Sequence, residues 1–164
     1  MSEASGHVIG ESPLRIWELS SGERLRRQLE RAGAGEAGAG RAVLLRADWV
    51  YDQPLVHALV AAREDCALMA ETGECVALSV RANRLPEARA ALAAHATPPG
   101  VHAVSVQELA GSYDDKLRKR ELPYLMPLAS EALPAIERRV FGGAYKGITD
   151  AVTLYLWPAP ARAV

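Results

Sequence analysis

Asp48 closes a short apolar run, Ala42-Val43-Leu44-Leu45-Arg46, and that position could do chemistry. In open α/β sheets ligands gather beyond the carboxyl ends of strands. A carboxylate there can hold Mg²⁺ through oxygen ligands; the alternative is that Asp48 caps the turn that follows. A second set is the basic run Lys116-Leu117-Arg118-Lys119-Arg120. Lys116, Arg118, Lys119 and Arg120 are either a solvated loop or a patch for anionic headgroups, where each cation is worth about 1 kcal/mol. A third is the polar cluster Lys146, Thr149 and Asp150. If Thr149 starts a helix, Asp150 lies in its first turn, where the helix dipole favours a carboxylate. Tyr155 and Trp157 suit a headgroup-level aromatic belt, with Leu154 and Leu156 as apolar anchors. A terminal helix packed back on the domain is the other reading of that stretch.

The elements that must position these residues follow from periodicity and turn chemistry. Ser20-Ser21-Gly22-Glu23 has the form of a capping box. Leu25, Leu29 and Ala32 then share one helical face, and Gly33 ends the helix. Gly33 to Gly40 reads as a flexible Gly/Ala-rich connection. A short strand is expected at His7 to Ile9 and another at Ala42 to Arg46. Pro54 fits the first turn of a helix running to about Arg63. Cys66 to Ala70 and Cys75 to Val80 read as a hairpin with Gly73 in its turn. An Ala-rich helix spans Leu85 to His95, starting near Asn83, and Val101 to Val106 is a further strand. This alternation predicts an α/β fold with a mixed, mainly parallel sheet and flanking helices. The character changes after Leu109, so residues 1–110 are taken as the sheet domain and 111–164 as a basic connector with an amphipathic juxtamembrane extension.

Composition narrows the function classes. Of 164 residues 49% are apolar but only 5% aromatic, so the core is aliphatic. A net charge of −1 sets up no field to recruit nucleic acid. Cys66 and Cys75 flank the expected hairpin turn and could face each other; otherwise they are two small buried residues of a reducing compartment. The histidines, His7, His57, His95 and His102, show no metal spacing. The first residues lack the basic start and apolar stretch of a signal peptide. No apolar run reaches the roughly eighteen residues of a membrane span.

Tyr145-Lys146-Gly147-Ile148-Thr149-Asp150 followed by Ala151-Val-Thr-Leu-Tyr-Leu-Trp-Pro158 resembles the segment before the first transmembrane helix in CDP-alcohol phosphatidyltransferases that carry an N-terminal cytosolic domain. Trp17–Ala32, Leu44–Val56 and Lys116–Leu128 fit the same group. The stretch Leu44-Leu-Arg-Ala-Asp-Trp-Val-Tyr-Asp52 also resembles the metal-Asp strand of sugar-phosphate nucleotidyltransferases. The resemblance implies a degenerate nucleotidyltransferase-like, Rossmann-like domain on the cytoplasmic face of the cell membrane, expected to lead into a transmembrane catalytic part. It implies Mg²⁺ for the whole enzyme, held by Asp residues of the signature DGxxAR, which this chain lacks; no cofactor is assigned to the chain itself.

An active nucleotidyltransferase also needs a Gly-rich loop with a basic residue after its first strand, where amides and a cation receive the triphosphate. Here Val8-Ile-Gly-Glu-Ser-Pro-Leu14 offers one Gly, an acid and a Pro. The expected role is therefore non-catalytic: to pack at the membrane face against its own transmembrane domain, to pair protomers as a homodimer, or to bind a soluble ligand. The alternatives are an active CTP-dependent cytidylyltransferase and a stand-alone interaction module.

Overall fold

The computed structural model describes residues 3–17, 19–113, 123–129 and 132–140, with the backbone alone for 111–113. In chain order, β1 (Ala4–Ile9) is followed by the small hairpin of β2 (Arg15–Ile16) and β3 (Leu19–Ser20). Then come α1 (Ser21–Arg31), β4 (Ala34–Gly35), β5 (Arg41–Arg46), β6 (Trp49–Tyr51) and α2 (Gln53–Ala61). β7 (Cys66–Met69), β8 (Cys75–Arg81), a 3₁₀ turn at Ala82–Arg84 and α3 (Leu85–Ala93) follow, then β9 (His102–Val104), α4 (Val106–Tyr113) and β10 (Leu125–Pro127). The chain divides into two compact units, residues 1–129 and 130–164. All of these elements lie in the first; in the second, residues 133–140 are helical.

Six strands form the main sheet in the order β4-β1-β5-β8-β7-β9. β1 is parallel to both β4 and β5, and β7 is parallel to β9. β8 alone runs against its neighbours β5 and β7. The fold is thus α/β with a mixed, mostly parallel sheet and flanking helices, as the alternation of elements predicts. Strand side chains point to opposite faces in turn, and the core divides accordingly. Val43, Leu45, Leu68 and Ala77 pack with Leu25, Leu29, Leu55 and Leu59 of α1 and α2 and with Leu109 of α4. Ala42, Leu44, Ala67, Leu78 and Val80 pack with Ala88 and Leu92 of α3 on the other face.

Several local expectations hold for the reasons that motivated them. Ser20 caps α1, accepting from the Glu23 amide, while the Glu23 carboxylate accepts from the Ser20 amide. Asp52 caps α2 with Pro54 in the first turn. The β7–β8 hairpin turns at Gly73, whose φ of +89° favours a residue without a side chain.

Other expectations are corrected. Cys66 and Cys75 do not face each other. Cys66 lies opposite Ser79 and Cys75 opposite Met69, and the two thiols belong to opposite faces of the sheet. Both are free, and burial pushes both thiols up in pKa, which keeps them unreactive. The strand expected over Val101–Val106 is shorter because the Ser105 hydroxyl receives the Glu108 amide and starts α4. That helix runs through the position, 110/111, where the sequence reading divides the chain. Leu125–Pro127, read as connector, pairs antiparallel with β6.

The Gly-rich stretch after α1 is not a free connection. It contributes β4 to the sheet edge, and the Gly40 amide donates to the Glu3 carbonyl. A Cβ on Gly38 would lie 2.5 Å from the carbonyl carbon of Ala4 and 2.6 Å from the amide nitrogen of Ser5. Backbone cannot swing aside as a side chain can. Gly38→Ala should therefore destabilise the domain by about 2 kcal/mol, read as a lower denaturant midpoint. Gly10→Ala, with open space around the added carbon, tests instead only its φ of +81°.

Candidate functional site

Asp48 stands in the two-residue turn between β5 and β6, at the carboxyl end of the parallel strands β1 and β5. A pocket of about 180 Å³ opens there, lined by Ile9, Gly10, Glu11, Arg46, Asp48, Leu92, Ala93 and His95. The turn is held from below. The Ala47 amide donates to the Ile9 carbonyl, and the Ser21 hydroxyl at the start of α1 donates to the Ala47 carbonyl. Tyr51, fully buried, accepts from the Arg46 amide at 2.9 Å and donates to the Val76 carbonyl at 2.6 Å. Its phenol therefore locks the end of β5 to β8, and burial raises its pKa so that it stays protonated.

Arg46 is the residue that sequence reasoning passed over. It ends β5, whose four middle residues are apolar, and is only 4% exposed. Its Nε donates to Oδ1 of Asp48 at 3.0 Å and its Nη2 to Oδ2 at 2.7 Å, a two-pronged pairing. Nη1 donates to the Cys75 carbonyl at 3.2 Å and stands 3.9 Å from Glu74. Nη2 is also 3.4 Å from both ring nitrogens of His95. His95 follows α3 with φ of +58°, a left-handed terminator usually filled by glycine. The sequence signal was an arginine two residues before an aspartate at a strand end, where a bidentate fork fits a carboxylate.

This arrangement does not suit Mg²⁺ at Asp48. Each carboxylate oxygen accepts a hydrogen bond from the guanidinium, whose positive charge lies against the place a cation would occupy. Among the described residues no group of three His, Cys, Asp or Glu side chains could hold a metal ion. The pocket is small beside the roughly 300–1,000 Å³ typical of ligand sites. Glu11 and Asp48 set two carboxylates against the single charge of Arg46, which disfavours a triphosphate. The stretch from Gly10 to Leu14 forms no helix or strand, and its Leu14 amide is spent on the Ser12 hydroxyl.

The remaining sequence-derived site residues, Lys116, Arg118, Lys119, Arg120, Tyr145, Lys146, Gly147, Thr149, Asp150, Tyr155 and Trp157, lie outside the described residues. Among the described residues no helix is long and apolar enough to cross a membrane.

A second polar centre, also missed in the sequence, lies at the opposite end of the sheet. Asp65 precedes β7, and its carboxylate is 8% exposed. It accepts from Nη1 of Arg84 at 3.0 Å and from the Arg81 amide at 2.9 Å, and it lies 3.4 Å from Nη2 of Arg41. Burial alone would raise its pKa. The Arg84 and Arg81 hydrogen bonds and the charges of Arg41 and Arg81 outweigh that and hold it below the ordinary value.

The chain matches no protein-family model, and comparison with curated proteins and with solved structures finds no significant match.

Proposed function

We propose that this chain is the non-catalytic cytosolic domain of a membrane CDP-alcohol phosphatidyltransferase, an enzyme of phospholipid biosynthesis that transfers a phosphoalcohol group from a CDP-linked donor to an acceptor hydroxyl. The Tyr145–Asp150 motif and its aromatic sequel support the membrane half of this reading. The observation that carries the non-catalytic half is the bidentate Arg46–Asp48 pair. A nucleotidyltransferase-like sheet that had kept its activity would leave the strand-end carboxylate without a paired cation of the protein's own and would present amides and a cation after β1. Here a buried arginine pairs through two donors with the half-exposed carboxylate, and Glu11 stands in the loop. In the whole enzyme Mg²⁺ chemistry belongs to the Asp residues of the membrane part, not to this sheet. The partners are then the chain's own transmembrane domain, an anionic membrane surface and a second copy of the protein.

Calorimetry of the chain with CTP and Mg²⁺ tests the non-catalytic half. The expected result is no saturable heat, at up to millimolar nucleotide, that Asp48→Asn removes. A micromolar dissociation constant that Asp48→Asn abolishes would establish instead an active cytidylyltransferase making the CDP-linked donor.

A further inference from the structure

At the amino ends of β5, β7 and β9, where the antiparallel β8 finishes, a cleft of about 380 Å³ is lined by Arg63, Glu64, Asp65, Arg81, Arg84, Gly100 and His102. This is the opposite end of the sheet from Asp48. We propose that this cleft is a binding site for a phosphate-type oxyanion, gripped by the guanidinium groups of Arg63 and Arg81 and rimmed by His102.

The arginines fall into two kinds. Arg41 and Arg84 are consumed by the fold. Arg84 spends its donors on Asp65, Glu87 and the Pro99 carbonyl. Arg41 spends its own on Ser79, Asp65 and the carbonyls of Arg63 and Glu64. Together they neutralise Asp65 and hold the backbone of residues 63–65 against β8. Arg81 is different. Its amide is anchored by Asp65, but its side chain is 72% exposed and its Nε reaches that carboxylate only at 3.8 Å. Arg63 is likewise exposed, and its carbonyl, fixed by Arg41, sets where its side chain departs. Two guanidinium groups are therefore mounted on fixed backbone at one cleft.

Charge supports the same ligand. With Arg41 and Arg84 set against Asp65 and Glu87, Arg63 and Arg81 face only Glu64 as a further acid in the lining. Arginine matches phosphate oxygens with paired donors in a planar fork. A free phosphoester and a lipid phosphate headgroup share this chemistry. The proposal is independent of the reading of Asp48 given above.

The test is calorimetry of the chain with inorganic pyrophosphate at low ionic strength. Arg63→Ala and Arg81→Ala should each weaken binding by about tenfold, the loss expected for one charge-assisted contact. Arg27→Ala, an exposed arginine on α1, should leave it unchanged. Absence of binding, or equal binding by wild type and both variants, overturns the site. Co-sedimentation with phosphatidate vesicles, compared between wild type and the Arg63→Ala/Arg81→Ala double variant, identifies the source of the phosphate. A deficit in the double variant assigns a lipid headgroup. Equal sedimentation, with pyrophosphate binding lost, assigns a soluble phosphoester.

Discussion

Asp65→Asn should lower the stability of the domain by about 3 kcal/mol at neutral pH, the order expected when one partner of a nearly buried charge network is removed. The substitution keeps the size of the side chain and leaves an oxygen for the Arg81 amide, so it isolates the charge. Arg41 and Arg84, 14% and 19% exposed, would lose the carboxylate that neutralises them. The deficit should depend on pH in a defined direction. The Asp65 pKa in the folded state lies below its ordinary value of 3.8. A carboxyl depressed in this way stabilises the fold fully above its unfolded-state pKa, and the contribution is lost as pH falls through the folded value. The gap between wild type and variant should therefore be widest above about pH 5 and close under stronger acid. Urea midpoints measured across that range check both the size and the slope.

Leu45→Ala should cost about as much, roughly 3 kcal/mol, for a different reason. Leu45 is fully buried in β5, which pairs on one side with β1 and on the other with β8. Its side chain belongs to the larger core together with Leu25, Leu59 and Leu68. Truncation removes transfer energy and leaves a cavity that strands fixed on both sides cannot close. Leu45→Met, which keeps most of the volume, should cost under about 1.5 kcal/mol. This loss should not vary with acid, so the two substitutions separate packing from charge. If Leu45→Ala followed the same pH curve as Asp65→Asn, the assignment of the pH dependence to Asp65 would fail.

The parts of the fold legible in the sequence were those governed by near neighbours. The Ser20–Glu23 box, Pro54 at the head of α2 and the Gly73 turn are each decided within a few residues, and each was found. The parts that were missed depend on distant pairing. Ala34 and Gly35 become a strand because β1 offers them an edge, and Leu125–Pro127 because β6 does. Nothing in either segment's own alternation announces it. The same holds for the site. Asp48 stood out because an apolar strand ends there, whereas the role of Arg46 rests on Cys75, Glu74 and His95, all brought in by β8 and α3. Asp65 was inconspicuous in a charged stretch, and its three arginines come from positions 41, 81 and 84. The cysteines show the converse. Their places on either side of a hairpin turn leave open whether they face each other; the register shift between Leu68 and Met69 and the pleat place them on opposite faces, both buried and free as the other reading has it.

The central claim is that this domain serves a membrane-embedded transferase. An antibody against the folded domain, used to blot cell fractions after an alkaline carbonate wash, tests it most directly. The account predicts a band larger than the 17.6 kDa of these 164 residues, retained in the washed membrane pellet and released only by detergent. A 17.6 kDa band recovered in the wash supernatant would contradict it.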